Sequence, residues 1–225
     1  VATSQVPLYV NDPVAVTAEG TPVRIVRNAE TNLGDLCADA YRALSNADIA
    51  FVNGGGIRKQ IEAGDITLDD IYSVHPFGNT MCVIRVTGQQ VLDALEWGAR
   101  AVPSENGGFL QVSGLTYEIH TGVASSAEKD ENGMFTRVSG EYRVKNVMVG
   151  GQPLELDKTY TLASHNYMLL GHGDGYTMFD GCEVLGEDMM VDNQVLITYI
   201  TTTLGGVVGE QYANPYGDGR IVAVE

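Results

Sequence analysis

The sequence is poor in basic residues, and this scarcity limits the partners that the protein can have. Thirteen Lys and Arg stand against 29 Asp and Glu, which gives a formal net charge of −16 at pH 7. Binding to a polyphosphate backbone depends on many cationic side chains, so this balance argues against nucleic acid as the partner. A few arginines gathered at one place can still hold one small phosphate in an acidic protein.

Long apolar runs are also missing. No stretch of about 18 or more apolar residues is present, so we expect no membrane insertion. The first residues, VATSQVPLYVNDP, lack the basic start and apolar stretch of a signal peptide, and the absence of an initial Met is consistent with a mature or excised piece of a longer protein. With 225 residues, of which 44% are hydrophobic, we expect residues 1–225 to form one domain built on a single core.

Cysteine and histidine are too few and too scattered for several kinds of site. Cys37, Cys82 and Cys182 lie mostly among apolar neighbours, which favours buried free thiols over a disulfide framework. None of the four histidines forms an HxH or HExxH motif, and no serine stands in a GxSxG motif. We therefore predict no metal site and no Ser–His–Asp triad in this chain.

Apolar residues at three- and four-residue steps predict helices in the first half. The first helix begins near Thr31 or Asn32, either of which can cap it, and a later short helix is capped by Thr67. Between these helices, the run DIAFV reads as a buried strand that leads into three glycines, and MCVIRVT, after the second helix, reads as another strand. The helical segments are TNLGDLCADAYRAL, ITLDDIYSV and GQQVLDALEWGARAV.

The pattern changes to alternation from Phe109 onward, which favours half-buried strands. VGGQPLE is typical of a hairpin turn, and ASSAEKDENG predicts a polar, exposed loop. DNQVLITYITTTL predicts a final helix and GRIVAV a final strand. This mixture indicates α/β or α+β architecture with a mixed sheet rather than a purely parallel one.

The segment NGGGIR contains three consecutive glycines followed closely by an arginine. Amide N–H groups exposed at Gly54, Gly55 and Gly56 can form an anion-binding nest, and Arg58 can add a bidentate contact to phosphate. A tight turn with a surface arginine is the alternative. The segment matches neither GxxxxGK[ST] nor GxGxxG, so neither P-loop nor Rossmann chemistry is indicated.

Three further segments carry candidate binding residues. Arg24 and Arg27 precede the first predicted helix, whose N-terminus favours a negative group, although arginines in this position are commonly solvated. Phe77, in HPFGNT, is suited either to plug the core or to stack on a base. Asp174, in GHGDG, stands either in a calcium-like or plain turn or where it can accept hydrogen bonds from both hydroxyls of a ribose.

Five segments together resemble the C-terminal domain of the 5′-nucleotidase family, which includes bacterial periplasmic UDP-sugar hydrolases and animal ecto-5′-nucleotidases. The segments are ETNLGDLCADA, NGGGIR, HPFGNT, GGFLQVSGL and GHGDGY, in the family's order and approximate spacing. The resemblance runs from about Val23 to Val224. It implies an α+β (mixed α/β) fold, arranged as a four-layer α-β-β-α sandwich with mixed sheets.

The resemblance also implies a function shared between two domains. This domain would bind a nucleotide or nucleoside, most readily of the adenine type, and present it to an N-terminal metallophosphoesterase domain. There, two divalent ions such as Zn or Mn would activate a water for ester hydrolysis, while this domain would need no cofactor. The location implied is extracellular, periplasmic or cell-surface. The alternative is a stand-alone nucleotide- or nucleoside-binding module without catalysis.

Residue roles follow from the same resemblance. Arg27 and Arg58 would contact the phosphate, and Asn53 would lie near the scissile group. Phe77 would form one face of a clamp around the base, and Asp174 would bind the ribose hydroxyls.

The second clamp position is less direct. The family's aromatic residue usually lies six residues before the aspartate, where this sequence has Met168, and a one-residue insertion would place Tyr167 there instead. The family's GGDG is replaced by GHGDG, so that His172 stands where a glycine is usual. We expect Tyr167 to be the clamp residue.

Overall fold

Short helices and many short strands alternate along the protein, whose structure, a computed structural model, describes all 225 residues. The helices are α1 Asn32–Ser45, α2 Leu68–Val74, α3 Gly88–Ala99, α4 Asn166–Leu169 and α5 Asp192–Thr198, with a π-helical turn at Tyr199–Thr203. The strands are β1 Ala2–Ser4, β2 Asn11–Val16, β3 Pro22–Arg24, β4 Ile49–Asn53, β5 Gly64–Ile66, β6 Met81–Thr87, β7 Leu110–Ser113, β8 Leu115–His120, β9 Ala127–Lys129, β10 Phe135–Val138, β11 Val144–Val149, β12 Gln152–Pro153, β13 Thr159–His165, β14 Glu183–Gly186, β15 Val207–Val208 and β16 Ile221–Val224.

Threonine side chains begin the three main predicted helices. Thr31 caps α1, since its Oγ1 accepts the N–H of Gly34 at 3.0 Å. Thr67 and Thr87 start α2 and α3 with reciprocal capping boxes, in which the side chains of Asp70 and Gln90 accept the threonine N–H groups. Each cap satisfies helix N–H groups that have no partner within the helix. The predicted helices are confirmed, and of the two predicted cap candidates, Thr31 and Asn32, the cap is Thr31.

Two mixed sheets form the centre of the fold. The larger has the strand order β14-β6-β13-β4-β7, in which only β13 and β4 run parallel. The smaller has the order β12-β11-β8-β16, with β8 and β16 parallel. The predicted mixed α/β class with mixed sheets is confirmed.

The five-stranded sheet is buried on both faces at its centre, whereas its edge strand β14 is exposed. In β4, Ile49 and Phe51 point into one hydrophobic core, whereas Ala50 and Val52 point into the other. Helices α1 and α5 contribute to the second of these cores, and α3 with the four-stranded sheet contributes to the first. The expectation of a single core is therefore wrong, because a central sheet covered on both faces separates two cores.

The segment ASSAEKDENG is not the open loop that its polarity predicts. β9 pairs antiparallel with β10, and the carboxylate of Asp130 closes the turn by accepting the N–H groups of Asn132 and Met134 at 2.9 and 2.8 Å. Only Phe135 of this hairpin is buried. With so little of the hairpin buried, its sequence lacks the alternation that marks a half-buried strand.

The cysteines are free thiols, as predicted, and Cys37 and Cys82 are buried. Every helix falls short of the length and apolar character needed to span a lipid bilayer.

Candidate functional site

A cavity of about 500 Å³ opens at the edge where the parallel strands β4 and β13 end. In sheets of this kind, ligands commonly bind beyond the carboxyl ends of parallel strands. All the predicted site residues except Arg24 and Gly54 line the cavity, together with two residues that were not predicted, Asn79 and Gly107. The complete lining is Arg27, Asn53, Gly55, Gly56, Arg58, Phe77, Asn79, Gly107, Tyr167 and Asp174.

Close packing explains the three glycines. A Cβ on Gly54 would lie 2.1 Å from the carbonyl oxygen of Val26, and one on Gly55 would lie 2.9 Å from that of Gly107. The N–H groups of Gly54 and Gly55 donate to the carbonyls of Phe109 and Gly107 at 2.7 and 2.8 Å. The predicted nest of free amide groups is therefore wrong for these two glycines, because backbone carbonyls already accept their N–H groups.

Two arginines face the cavity without an acidic partner. Neither Arg27 nor Arg58 lies in any of the ion pairs of the structure. The Nε of Arg27 is buried and has no hydrogen-bond partner, and burial, followed by the nearby charges of Arg24 and Arg58, lowers the pKa of its guanidinium. Two guanidinium groups that border one cavity and have no acidic partner favour an anion there.

Exposed aromatic rings stand at the mouth of the cavity. Phe77 is 59% exposed and Tyr167 is 44% exposed, which is unusual for large apolar side chains that line a cavity. The guanidinium of Arg58 lies over the Phe77 ring, 5.9 Å from its centroid. Met168, the alternative clamp residue, is completely buried in the core that contains Phe51.

Asp174 is the one carboxylate of the lining, and three neighbours fix its position. Its Oδ2 accepts the side-chain amide of Asn53 at 2.6 Å, and its Oδ1 accepts the hydroxyl of Tyr167 at 3.2 Å. Its carbonyl oxygen accepts the indole N–H of Trp97 at 2.9 Å. Asp174 adopts a left-handed backbone (φ 54°), and a Cβ on the preceding Gly173 would lie 2.3 Å from the Tyr167 ring. A dense set of contacts thus holds this strained loop.

Two buried histidines lie behind the lining. His165 Nε2 is 2.9 Å from Asn53 Oδ1, and His75 Nδ1 is 3.2 Å from the carbonyl oxygen of Gly56. Burial lowers the pKa of each imidazole to about 4, so both are neutral near pH 7. The sequence analysis missed this part of the site, and only the proximity of His165 to the GHGDG segment could have suggested it.

The donors around the cavity do not suit a pair of metal ions. A dinuclear hydrolytic site needs several carboxylate and imidazole ligands, whereas the cavity wall offers Asp174 alone. Asp174 already accepts hydrogen bonds from Asn53 and Tyr167.

A separate group of carboxylates brings Glu30, Asp35 and Asp218 within 4.8 Å of one another, away from the cavity. Both oxygens of Glu30 accept backbone N–H groups, including that of Ile221 at 2.7 Å. The guanidinium of Arg220 lies 3.5 Å from Asp35 and 2.9 Å from Asp218. These contacts supply the positive charge that a cation would bring, so we assign the group a structural role.

Replacing Asp35 by Asn should stabilise the protein increasingly as the pH rises. Burial raises the pKa of Asp35 from its ordinary 3.8 to about 9, so between these values the folded state holds a proton that the unfolded state has lost. The free energy of unfolding of the unaltered protein therefore falls with rising pH. A neutral amide at position 35 removes this loss, so the free energy of unfolding of Asp35→Asn should be higher by at least about 1 kcal/mol at pH 8. Urea unfolding of both proteins from pH 5 to 8 measures this difference in the free energy of unfolding.

The matched control for this prediction is Asp39→Asn. Asp39 pairs with Arg220 through both oxygens, at 2.7 and 3.0 Å, so its amide variant should lose stability at every pH. An advantage of Asp35→Asn that shrinks with rising pH would contradict the prediction.

Comparison with known proteins identifies the family. The family model described as "5′-nucleotidase, C-terminal domain" matches residues 10–181. The chain belongs to this family. The resemblance drawn from the five sequence segments is thereby confirmed.

Curated relatives and a solved structure agree with this assignment. The chain is 36% identical over 203 residues to a trifunctional nucleotide phosphoesterase protein of Bacillus subtilis, covering 88% of this chain and 13% of that protein. It is 34% identical over 176 residues to a 5′-nucleotidase of Vibrio cholerae, covering 78% of this chain and 28% of that protein. The crystal structure of a 5′-nucleotidase precursor from Thermus thermophilus matches with a TM-score of 0.78 and 31% identity, covering all of this chain and 39% of that one. The chain therefore corresponds to less than half the length of each relative.

Proposed function

We propose that residues 1–225 are the nucleotide-binding domain of a 5′-nucleotidase-like phosphohydrolase. The observation that carries the proposal is the joint presence, in one cavity, of two arginines without acidic partners, two exposed aromatic rings and one carboxylate. These groups match the three parts of a nucleotide, which are an anionic phosphate, a flat base and a ribose with two hydroxyls. The five-stranded sheet, shared by both cores, supports one domain rather than two.

Arg27 and Arg58 bind the phosphate in this proposal. Only 13 cationic side chains exist in a chain of net charge −16, so two unpaired ones at one cavity create a local field of opposite sign. Guanidinium groups bind phosphate through charge-assisted, commonly bidentate hydrogen bonds. Gly55 and Gly56 form the part of the cavity wall beside Arg58, and Gly54 packs behind them against Val26.

Phe77 and Tyr167 hold the base, and Asp174 binds the ribose. Exposed rings offer flat faces on which any base can stack, and adenine is the base that we propose. The oxygens of Asp174 retain lone pairs for two hydroxyl donors after accepting from Asn53 and Tyr167. In this arrangement Asn53 lies between the ribose and the phosphate and borders the scissile ester.

Hydrolysis itself belongs, in this proposal, to an N-terminal metallophosphoesterase domain of the same protein. That domain would supply two divalent ions, such as Zn²⁺ or Mn²⁺, which lower the pKa of a bound water and polarise the phosphate. On the family resemblance alone, we also propose an extracellular, periplasmic or cell-surface location.

Arg58→Ala should weaken the binding of AMP more than that of adenosine. A charge-assisted hydrogen bond contributes about 1.5–3 kcal/mol, and adenosine has no phosphate with which to form it. The ratio of AMP to adenosine affinity should therefore fall by roughly tenfold or more. Calorimetric titration of both ligands, at low and moderate salt, measures this ratio.

Lys59→Ala is the matched control for Arg58→Ala. It removes the same charge one residue further along, from a side chain that pairs with Asp70 outside the cavity. The ratio of AMP to adenosine affinity in Lys59→Ala should stay close to that of the unaltered protein. An unchanged ratio in Arg58→Ala would mean that the glycine loop is a structural turn with a surface arginine.

Phe77→Ala and Tyr167→Ala should each lower the affinity for AMP and the affinity for adenosine by similar factors. Loss of a stacking aromatic costs about 1–3 kcal/mol per base, whether or not a phosphate is present. Tyr167→Phe separates the ring from the hydroxyl that bonds Asp174. Tyr72→Ala removes an exposed aromatic outside the cavity and should leave both affinities unchanged. Normal binding by Tyr167→Ala would remove Tyr167 from the clamp.

A further inference from the structure

The histidine behind the cavity has one hydrogen-bond arrangement that satisfies its neighbours. Asn53 lies between His165 and Asp174, and its Nδ2 must donate to the carboxylate, which can only accept. The other end of the amide, Oδ1, therefore faces His165 Nε2 and can only accept. Consequently Nε2 carries the proton, and the bond from His165 to Asn53 points in the same direction as the bond from Asn53 to Asp174.

The topology brings these three residues together from distant parts of the chain. Asn53 ends β4 and His165 ends the neighbouring parallel strand β13, so both side chains lie at the same edge of the sheet. Asn53 is 5% exposed and His165 is 3% exposed, whereas Asp174 reaches the cavity. His165 does not line the cavity; its Nε2 contacts Asn53, and its ring lies 5.9 Å from the ring of Tyr167.

We propose that His165 is a positioning residue, whose Nε2–H holds the Asn53 amide in the orientation that presents its NH₂ group to Asp174. Without this donor, the amide can turn over and place its oxygen against the carboxylate, where two acceptors repel each other. Asp174 would then lose its shortest hydrogen bond and its fixed position. The expected effect on the binding of ribose hydroxyls rests on the proposed nucleotide binding. The orientation of the Asn53 amide does not depend on that proposal.

The buried His75 provides an internal comparison. Its Nδ1 faces a carbonyl oxygen, which can only accept, so His75 carries its proton on Nδ1. The remaining ring nitrogens, His75 Nε2 and His165 Nδ1, are buried lone-pair acceptors without a partner. The structure thus assigns opposite tautomers to two neighbouring neutral histidines.

Nitrogen-15 NMR of the whole chain, with labelled histidine and asparagine, tests the orientation without any ligand. We expect two neutral histidines near pH 7 that are protonated on opposite nitrogens, with His75→Gln used to assign them. In His165→Leu the side-chain amide signal of Asn53 should shift, and His165→Gln, which restores an N–H donor, should bring it back toward its original position. A proton on Nδ1 of His165, or an Asn53 signal unchanged in His165→Leu, would overturn the proposal.

Titration with adenosine and 2′,3′-dideoxyadenosine tests the consequence for the ribose. His165→Leu should lower the affinity for adenosine roughly tenfold and leave that for the dideoxy compound nearly unchanged, and His165→Gln should recover most of the loss. Equal losses for both ligands without recovery would mean that His165 is only a core residue and would overturn the positioning role. If neither ligand binds the unaltered protein, the proposed function fails, and the NMR result still decides the amide orientation.

Discussion

AMP mixed with this 225-residue chain and Mn²⁺, Zn²⁺ or Co²⁺ should release no phosphate at the rate of an enzyme. Metal-assisted ester hydrolysis needs ligands that hold one or two ions beside the phosphate, and Asp174 is the only carboxylate of the cavity wall. Phosphate release from AMP and from a chromogenic phosphate ester measures the activity.

Binding must be shown in the same samples, since an unfolded protein would also be inactive. Trp97 is the single tryptophan, and its indole donates to the carbonyl of Asp174, so its fluorescence should respond when AMP occupies the cavity. Turnover on the order of 1 per second or more that survives rigorous purification would contradict the prediction.

A fusion protein tests directly whether this domain binds the nucleotide while another domain hydrolyses it. The Thermus thermophilus relative shares 31% identity with this chain, which covers 39% of that protein, and under the proposed function the rest of that protein holds the metallophosphoesterase domain. Joining that remainder to this chain should produce phosphatase activity that depends on added metal. The same fusion carrying Arg58→Ala should be impaired chiefly in KM for AMP. A stand-alone binding module would bind AMP equally well and gain nothing from the fusion.

Local features of the sequence predict the helices and most strands because their causes are local. Thr31 begins a helix through a contact only three residues away, and the same holds for Thr67. Alternation also predicts β8, in which Leu115, Tyr117 and Ile119 are buried on one face. The continuous apolar run predicts strand β4. The presence of a separate core on each of its faces depends on the elements that cover those faces, which the run itself does not indicate.

The site is predicted less completely, since its contacts are long-range. The family resemblance predicts six binding residues as a set, and the structure brings all six to one cavity wall: Arg27, Asn53, Arg58, Phe77, Tyr167 and Asp174. The hydrogen bond between Asn53 and Asp174 spans 121 positions, and that between His165 and Asn53 spans 112. The periodicity of a local segment cannot predict contacts between residues so far apart in the sequence. The glycines were likewise assigned to an anion nest because the carbonyls that accept their N–H groups lie far along the chain.

Gly54→Ala should be severely destabilising, although the substitution adds only one methyl group. The new Cβ would lie 2.1 Å from the carbonyl oxygen of Val26 and 2.9 Å from its carbonyl carbon, and both are backbone atoms that cannot rotate away. Overpacking a core commonly costs about 1–3 kcal/mol, and a clash with rigid backbone belongs at or above the upper end of this range. A loss of about 3 kcal/mol lowers the Tm of a chain of this size by roughly 10 °C.

Two further glycines turn this expectation into a graded series. Gly55→Ala places its Cβ 2.9 Å from the carbonyl oxygen of Gly107, so its loss of stability should be smaller than that of Gly54→Ala. Gly122 has no atom within 4 Å of an added Cβ and no left-handed backbone, so Gly122→Ala should be neutral or slightly stabilising. Urea unfolding measures the free energy of unfolding of all three variants. The order Gly122, Gly55, Gly54, from mildest to most damaging, is expected because the backbone carbonyls approach successively closer. If Gly54→Ala were as stable as Gly122→Ala, the contact with Val26 would not be what requires glycine at this position.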